Sequence, residues 1–185
     1  MIEEHRTLTK ASTPIADAAP WTRRLTTRTG FDFHVRPATA DDEPALAEFF
    51  AHVTPEELRF RFLTACREVG HARLVAMTDI DHDKTENFLA VLTDGTVIAS
   101  GLLAADNAGD RAEVAISIHS GYKDRGVSWT LLDHIAHYAA ARGIKVIESI
   151  ESRENRAAIA LEMEMGFVTE AIEGDPTLVR VSRRL

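Results

Sequence analysis

The chain has 185 residues, 45% hydrophobic and 27% charged, the mix of a globular protein that buries one core, and its length fits one domain or one domain with a tail. Its 21 Lys and Arg against 29 Asp and Glu leave a formal charge of −8, the wrong sign for general phosphate-backbone binding, so nucleic acid is not expected as a partner. Cys66 is the single cysteine, which excludes an intrachain disulfide and a Cys-rich zinc site; the acidic start lacks signal-peptide character and no stretch approaches the ~18 apolar residues of a membrane span, so a cytoplasmic protein with no membrane partner is expected.

Residues 1–30 are rich in Thr, Ala, Pro and Arg, show no sustained period, and carry five basic residues against three acids. They read as a basic N-terminal arm, mobile or docked on the rest. The remaining residues 31–185 hold 16 basic and 26 acidic residues, a body at −10. From Phe31 the pattern is regular. Phe31, Phe33 and Val35 alternate with polar residues up to Pro37, as in a strand ended at an X-Pro step. A helix bearing Leu46, Phe49, Phe50 and Val53 follows, capped by Thr39, Asp41 or Asp42. Thr54-Pro55-Glu56-Glu57 starts a second helix, with Leu58, Phe62 and Cys66 at helical spacing, and a third runs around Ala72 to Met77.

Two strands are predicted at Phe88 to Leu92 and Val97 to Leu103, joined through Asp94-Gly95, a strong hairpin signal. A third runs from Glu113 to His119, with Val114, Ile116 and Ile118 on one face and Glu113, Ala115, Ser117 and His119 on the other. Gly121 to Ser128 is a turn, then Val127, Leu131, Ile135 and Tyr138 mark a helix stopped at Gly143. A short strand at Val146 to Ile150, a helix from Asn155 to Gly166, and strands at Phe167 to Ile172 and Leu178 to Val181 complete an α/β chain.

The segment from Ile116 to Leu132 is the most informative: a strand ends, a basic turn containing Gly126 follows, and a helix begins. Free backbone N–H groups there point at one spot that the helix dipole makes favourable for an anion such as a diphosphate, with Lys123 and Arg125 adding positive charge. As a turn alone this is a weak signal.

Lys123-Asp-Arg-Gly-Val-Ser128 resembles the acetyl-CoA loop of the GNAT N-acetyltransferases, Gln/Arg-x-x-Gly-x-Gly/Ala, and Asn155 to Phe167 resembles their Asn-led helix ending in Leu-Gly-Phe. Upstream, Arg36-Pro-Ala-Thr-Ala-Asp-Asp-Glu43, Thr54 to Phe62 and Leu74 to Asp83 resemble the catalytic domain of Pat-type bacterial protein lysine acetyltransferases. The resemblance covers most of residues 31–185 and implies the GNAT fold, a mixed and mostly antiparallel central sheet flanked by helices. The chain is too short to hold also the regulatory domain that larger Pat-type enzymes carry.

By position, the resemblance implies that backbone groups of Ile116, Ser117 and Ile118 pair with the pantetheine arm of acetyl-CoA, the acyl donor. The backbone of Lys123, Asp124, Arg125, Gly126, Val127, Ser128 and Trp129 would hold its pyrophosphate, and Asn155 would touch it near the thiol. Glu113, in Ala-Glu-Val-Ala, matches the residue credited with the base role. An amine with a pKa of ~10.4 is protonated at neutral pH, so transfer to it requires a base or a water relay. Three positions depart from the pattern: Asp124 for a frequent Gly, Ser128 for Gly or Ala, and Glu162 for a Tyr that in many members protonates the departing thiolate, so that this general acid is missing from the pattern.

The expected activity is acetyl transfer to an amine, with a protein lysine as the preferred acceptor; a small-molecule amine such as a polyamine or an antibiotic is the alternative, and a catalytically weak acyl-CoA sensor is a third. A monomer or a homodimer is expected. No metal is. Asp79-x-Asp81-x-Asp83 begins like a calcium loop but has Lys84 where Gly is needed, and His134 and His137, with no third ligand indicated, read as a solvated helix face. Cys66 reads as core and His119 as an ordinary strand-end histidine.

Overall fold

The computed structural model describes residues 21–185. The strands are β1 (Arg23–Thr26), β2 (Asp32–Pro37), β3 (Thr85–Val91), β4 (Val97–Ala105), β5 (Arg111–Ile118), β6 (Val146–Ser152), β7 (Val168–Ala171) and β8 (Leu178–Arg184). They form one sheet in the order β1-β2-β3-β4-β5-β6-β8-β7. Every pairing is antiparallel except β5 with β6. The helices are α1 (Glu43–Ala51), α2 (Pro55–Phe62), α3 (His71–Thr78), α4 (Val127–Ala141) and α5 (Arg156–Glu164). This is the expected mixed, mostly antiparallel sheet with flanking helices.

The helices bury two apolar clusters against the sheet, as a layered α/β domain requires. One, containing Leu46, Phe49, Leu58, Leu74 and Leu89, lies under α1 to α3. The other, containing Phe33, Phe88, Ile98, Leu131 and Ile135, lies under α4. Helix α4 approaches β4 so closely that a Cβ added at Gly101 would stand 2.5 Å from Ile135 Cδ1. Helix α2 starts at the predicted cap: the Glu57 N–H donates to Thr54 Oγ1 at 3.3 Å and the Glu57 carboxylate accepts from the Thr54 N–H at 3.1 Å.

Strand β1 lies within the segment that sequence periodicity assigned to the arm. Its four residues show too short an alternation to be legible; pairing defines it, from Arg23 opposite Val35 to Thr26 opposite Asp32. Residues 1–20 of the arm lie outside the described residues.

Two side chains differ from their predicted settings. Leu63, with φ +51°, ends α2, so Cys66 falls beyond the helix, half-buried, its thiol donating to Glu68 O. His134 is not on a solvated face: it is 3% exposed and packs edge-on against Trp21 and Phe88. At one turn from Leu131 and Tyr138 it shares the buried face of α4, whereas His137 stays exposed. Asp81, from the rejected calcium pattern, accepts N–H bonds from Asp83, Lys84 and Thr85 and so closes the turn before β3.

Candidate active site

Strands β5 and β6 pair only at Arg111–Val146, Ala112–Ile147 and Glu113–Glu148. Beyond Glu113 they part, and β6 continues along β8 alone. On its other side β5 stays paired with β4 through Ile118. The His119 N–H donates to Ile98 O; since hydrogen-bonded pairs alternate in an antiparallel ladder, Ser117 and Ala115 bond to β4, and the backbone groups of Ile116 and Ile118 face the opened side. Divergence of the two strands thus creates an unpaired strand edge inside the domain.

That edge forms one wall of a cleft of about 570 Å³, whose other walls come from α2, the loop before α4, and α5. Glu113, Ile116, Ser117, Ile118, Lys123, Asp124, Gly126, Val127, Ser128, Trp129 and Asn155, all expected at the site, line it together. Arg125 does not. Its guanidinium lies over the Phe31 and Tyr122 rings, 5.2 Å from each centroid, so it braces the loop from outside.

The loop carries two left-handed residues, Asp124 at φ +58° and Gly126 at φ +80°. The first explains why glycine is frequent at that position; Asp tolerates it better than most residues. Together they turn the chain into α4 with its leading N–H groups exposed to the cleft. Among the described residues, nothing accepts a hydrogen bond from the backbone N–H groups of Asp124 to Trp129. A helix beginning with unpaired donors attracts an anion.

Four groups at the other end of the cleft are titratable and close in space. Glu113 is exposed. Arg61, from α2, is half-buried near Glu113 and Glu151; burial lowers it to about 10 against the pull of those two carboxylates, so it keeps its charge at neutral pH. Burial raises Glu151 to about 7, opposed by the Asn155 side chain, whose Nδ2 donates to Oε2 at 2.8 Å, and by Arg61. Asn155 therefore holds a cleft carboxylate, a contact its expected role did not include. Glu162 is 5% exposed, with Oε1 accepting from Ser149 Oγ at 2.6 Å and Oε2 buried and, among the described residues, without a partner. Burial raises it to about 8; the Ser149 bond opposes the rise and the nearby Glu151 adds to it.

Arg61, Glu151 and the protonated Glu162 were not among the expected site residues. Glu151 sits four residues before Asn155, the one trace it left in the sequence. Arg61 is brought in by the packing of α2 on β5, which no local pattern records. Chemically, the cleft joins an anion-binding end to an end with one exposed carboxylate, one carboxylate near half-protonation and one carboxylic acid. Among the described residues no group of three or more His, Cys, Asp and Glu is arranged to hold a metal ion.

Comparison with known proteins agrees with this architecture. The model of the acetyltransferase (GNAT) family matches residues 47–167, and the chain belongs to that family. It is similar to an acetyltransferase of Pseudomonas aeruginosa, 29% identical over 148 residues that make up 78% of this chain and 80% of the relative. Its fold is similar to the GNAT domain of S. lividans PAT, with a TM-score of 0.85 and 27% identity over 91% of this chain and 99% of that one. A spermidine N-acetyltransferase from Vibrio cholerae, solved with CoA and spermine, shares the fold at a TM-score of 0.67 and 18% identity, over 82% of this chain and 95% of that one. The chain is an N-acetyltransferase of the GNAT type.

Proposed function

Taking the chain as a GNAT acetyltransferase, we propose that it transfers the acetyl group of acetyl-CoA directly to a primary amine, with a protein lysine as the preferred acceptor. One observation carries this reading: an unpaired strand edge, Ile116 to Ile118, and a row of N–H groups at the start of α4 left unbonded among the described residues line the same cleft, with Glu113 near the start of the same strand. The edge fits the amide-bearing pantetheine arm as an added strand, and the N–H row fits the pyrophosphate.

Bound acetyl-CoA supplies the thioester. The Ile118 N–H, facing the opened side, donates to the carbonyl oxygen as charge develops on it. Glu113 takes the proton from the ammonium or from a water beside it. Arg61 places a positive charge near both Glu113 and Glu151. Glu162 fills the role for which the family pattern left no Tyr: raised to about 8, it holds its proton at neutral pH, and it is one of the residues bordering the cleft, from which the proton passes to the departing thiolate. The acceptor end is rich in carboxylates, Glu56, Glu113, Glu151 and Glu154 among them, which favours a cationic amine.

Calorimetry with acetyl-CoA tests the premise, and absence of heat at millimolar cofactor removes it. Thiol release is then measured with lysine peptides, folded protein acceptors and a polyamine and aminoglycoside panel. Turnover on lysine supports the proposal; turnover confined to the small amines assigns the alternative substrate class. Binding without turnover on any amine assigns the sensor.

A further inference from the structure

The tip of the β1–β2 hairpin, residues 27–31, lies against the loop that opens α4. Thr29 Oγ1 donates to the Arg125 carbonyl at 2.9 Å. Thr27 packs on Gly126 so closely that a Cβ added there would stand 3.2 Å from the Thr27 Cβ. The Phe31 and Tyr122 rings meet with centroids 6.1 Å apart. The tip is closed on itself by the Thr27 N–H bonded to Phe31 O and the Gly30 N–H bonded to Thr27 O. From this braced tip Arg28 extends and lays its guanidinium 3.6 Å over the centroid of Trp129, the third residue of α4.

The other two cations of the loop are engaged. Lys123 is ion-paired with Glu57, and Arg125 is stacked on Phe31 and Tyr122. Arg28 is exposed, and among the described residues it pairs with no carboxylate. Among the described residues its charge therefore stands beside the first turn of α4 unopposed. Stacking on the indole fixes the guanidinium plane and leaves its N–H edge available, an arrangement that matches phosphate geometry. Trp129 lines the cleft, and Arg28, seated on its ring, is not itself among the residues that line it.

We propose that Arg28 is a cofactor-binding residue supplied by the N-terminal hairpin, and that it holds the ribose 3′-phosphate of acetyl-CoA while the backbone N–H groups opening α4 hold the pyrophosphate. This rests on the acetyl-CoA reading above. It gives the hairpin a function beyond extending the sheet, since Thr27 and Thr29 then serve to place Arg28.

The test compares acetyl-CoA with 3′-dephospho-acetyl-CoA by calorimetry on the full chain, for the wild type, Arg28→Ala and Arg28→Lys, with circular dichroism as the check on folding. The wild type is expected to prefer acetyl-CoA about tenfold or more, the range of a charge-assisted hydrogen bond. Arg28→Ala is expected to lose that preference while keeping its affinity for the dephospho form, and Arg28→Lys to recover part of it. A wild type indifferent to the 3′-phosphate overturns the proposal, as does an Arg28→Ala variant that keeps the preference or weakens on both ligands alike. A wild type that binds neither ligand removes instead the acetyl-CoA reading itself.

Discussion

Lys123 Nζ and Glu57 Oε1 stand 2.5 Å apart, so the first cation of the anion-binding loop is already held by α2. Burial alone would raise Glu57; the bonds from Lys123 and from Thr54 outweigh it and hold the carboxyl below the usual range. A phosphate arriving at the loop must compete with this carboxylate. Partly exposed ion pairs of this kind are worth about 0.2–1 kcal/mol. Glu57→Gln is therefore expected to tighten acetyl-CoA by up to about fivefold, since 1.4 kcal/mol is roughly a factor of ten. Calorimetry reads the change. An affinity that falls would mean that the pair orders the loop for its ligand.

Glu162 makes a second, sharper prediction. A carboxylic acid at about 8 loses its proton just above neutrality, so a rate that depends on proton donation declines as the pH rises through that value. Glu162→Gln keeps the shape and the Ser149 partner but has no proton to give. Its kcat is expected to fall about a hundredfold at neutral pH, and the alkaline decline should vanish, with the acetyl-CoA dissociation constant little changed. A variant that retains the wild-type alkaline limb would show that another group gives the proton.

For Glu113 the expected signature is the opposite. Removing a base slows transfer to a protonated amine most where the amine is most protonated. Glu113→Gln is expected to lower kcat by about 10²- to 10⁴-fold near neutral pH and by less as the pH approaches the amine pKa of ~10.4. A steady deficit across the pH range would assign Glu113 to positioning, and an unchanged profile would remove it from the mechanism.

These residues differ in how far the sequence disclosed them. The loop from Lys123 to Trp129 and the helix after Asn155 were legible because strand, turn and helix leave local signatures, and even the left-handed Asp124 falls where a glycine is expected. The layered sheet followed from the same periodicities. Arg61, Glu151 and Arg28 were not legible, because their meaning comes from contacts between elements far apart in the chain: α2 over β5, and a hairpin tip against the start of α4. Lys123 was legible as a loop cation, yet its pairing with Glu57, 66 residues earlier, was not. His134 was misplaced for a related reason, since two histidines three residues apart look alike in sequence, and only the breadth of the buried stripe on α4 separates them.

His134 in turn predicts a pH-dependent stability. It is buried against Trp21 and Phe88 with, among the described residues, neither ring nitrogen bonded, and burial lowers it to about 4, helped by the neighbouring charges of Arg23 and His137. The unfolded chain takes up a proton at this residue near pH 6.5, whereas the folded one does so only near pH 4. Its folded pKa is depressed, so the stability linked to it is complete above 6.5 and is lost as the pH falls from there towards 4. The loss is on the order of 3 kcal/mol at 1.36 kcal/mol per unit. His134→Phe, which fits the aromatic surroundings and carries no titratable group, is expected to lose about that much less between pH 7 and pH 4. Urea unfolding of both proteins at pH 7, 5 and 4 gives the comparison. Equal losses would mean that the fold admits the proton at His134 without breaking the packing that joins Trp21 to α4.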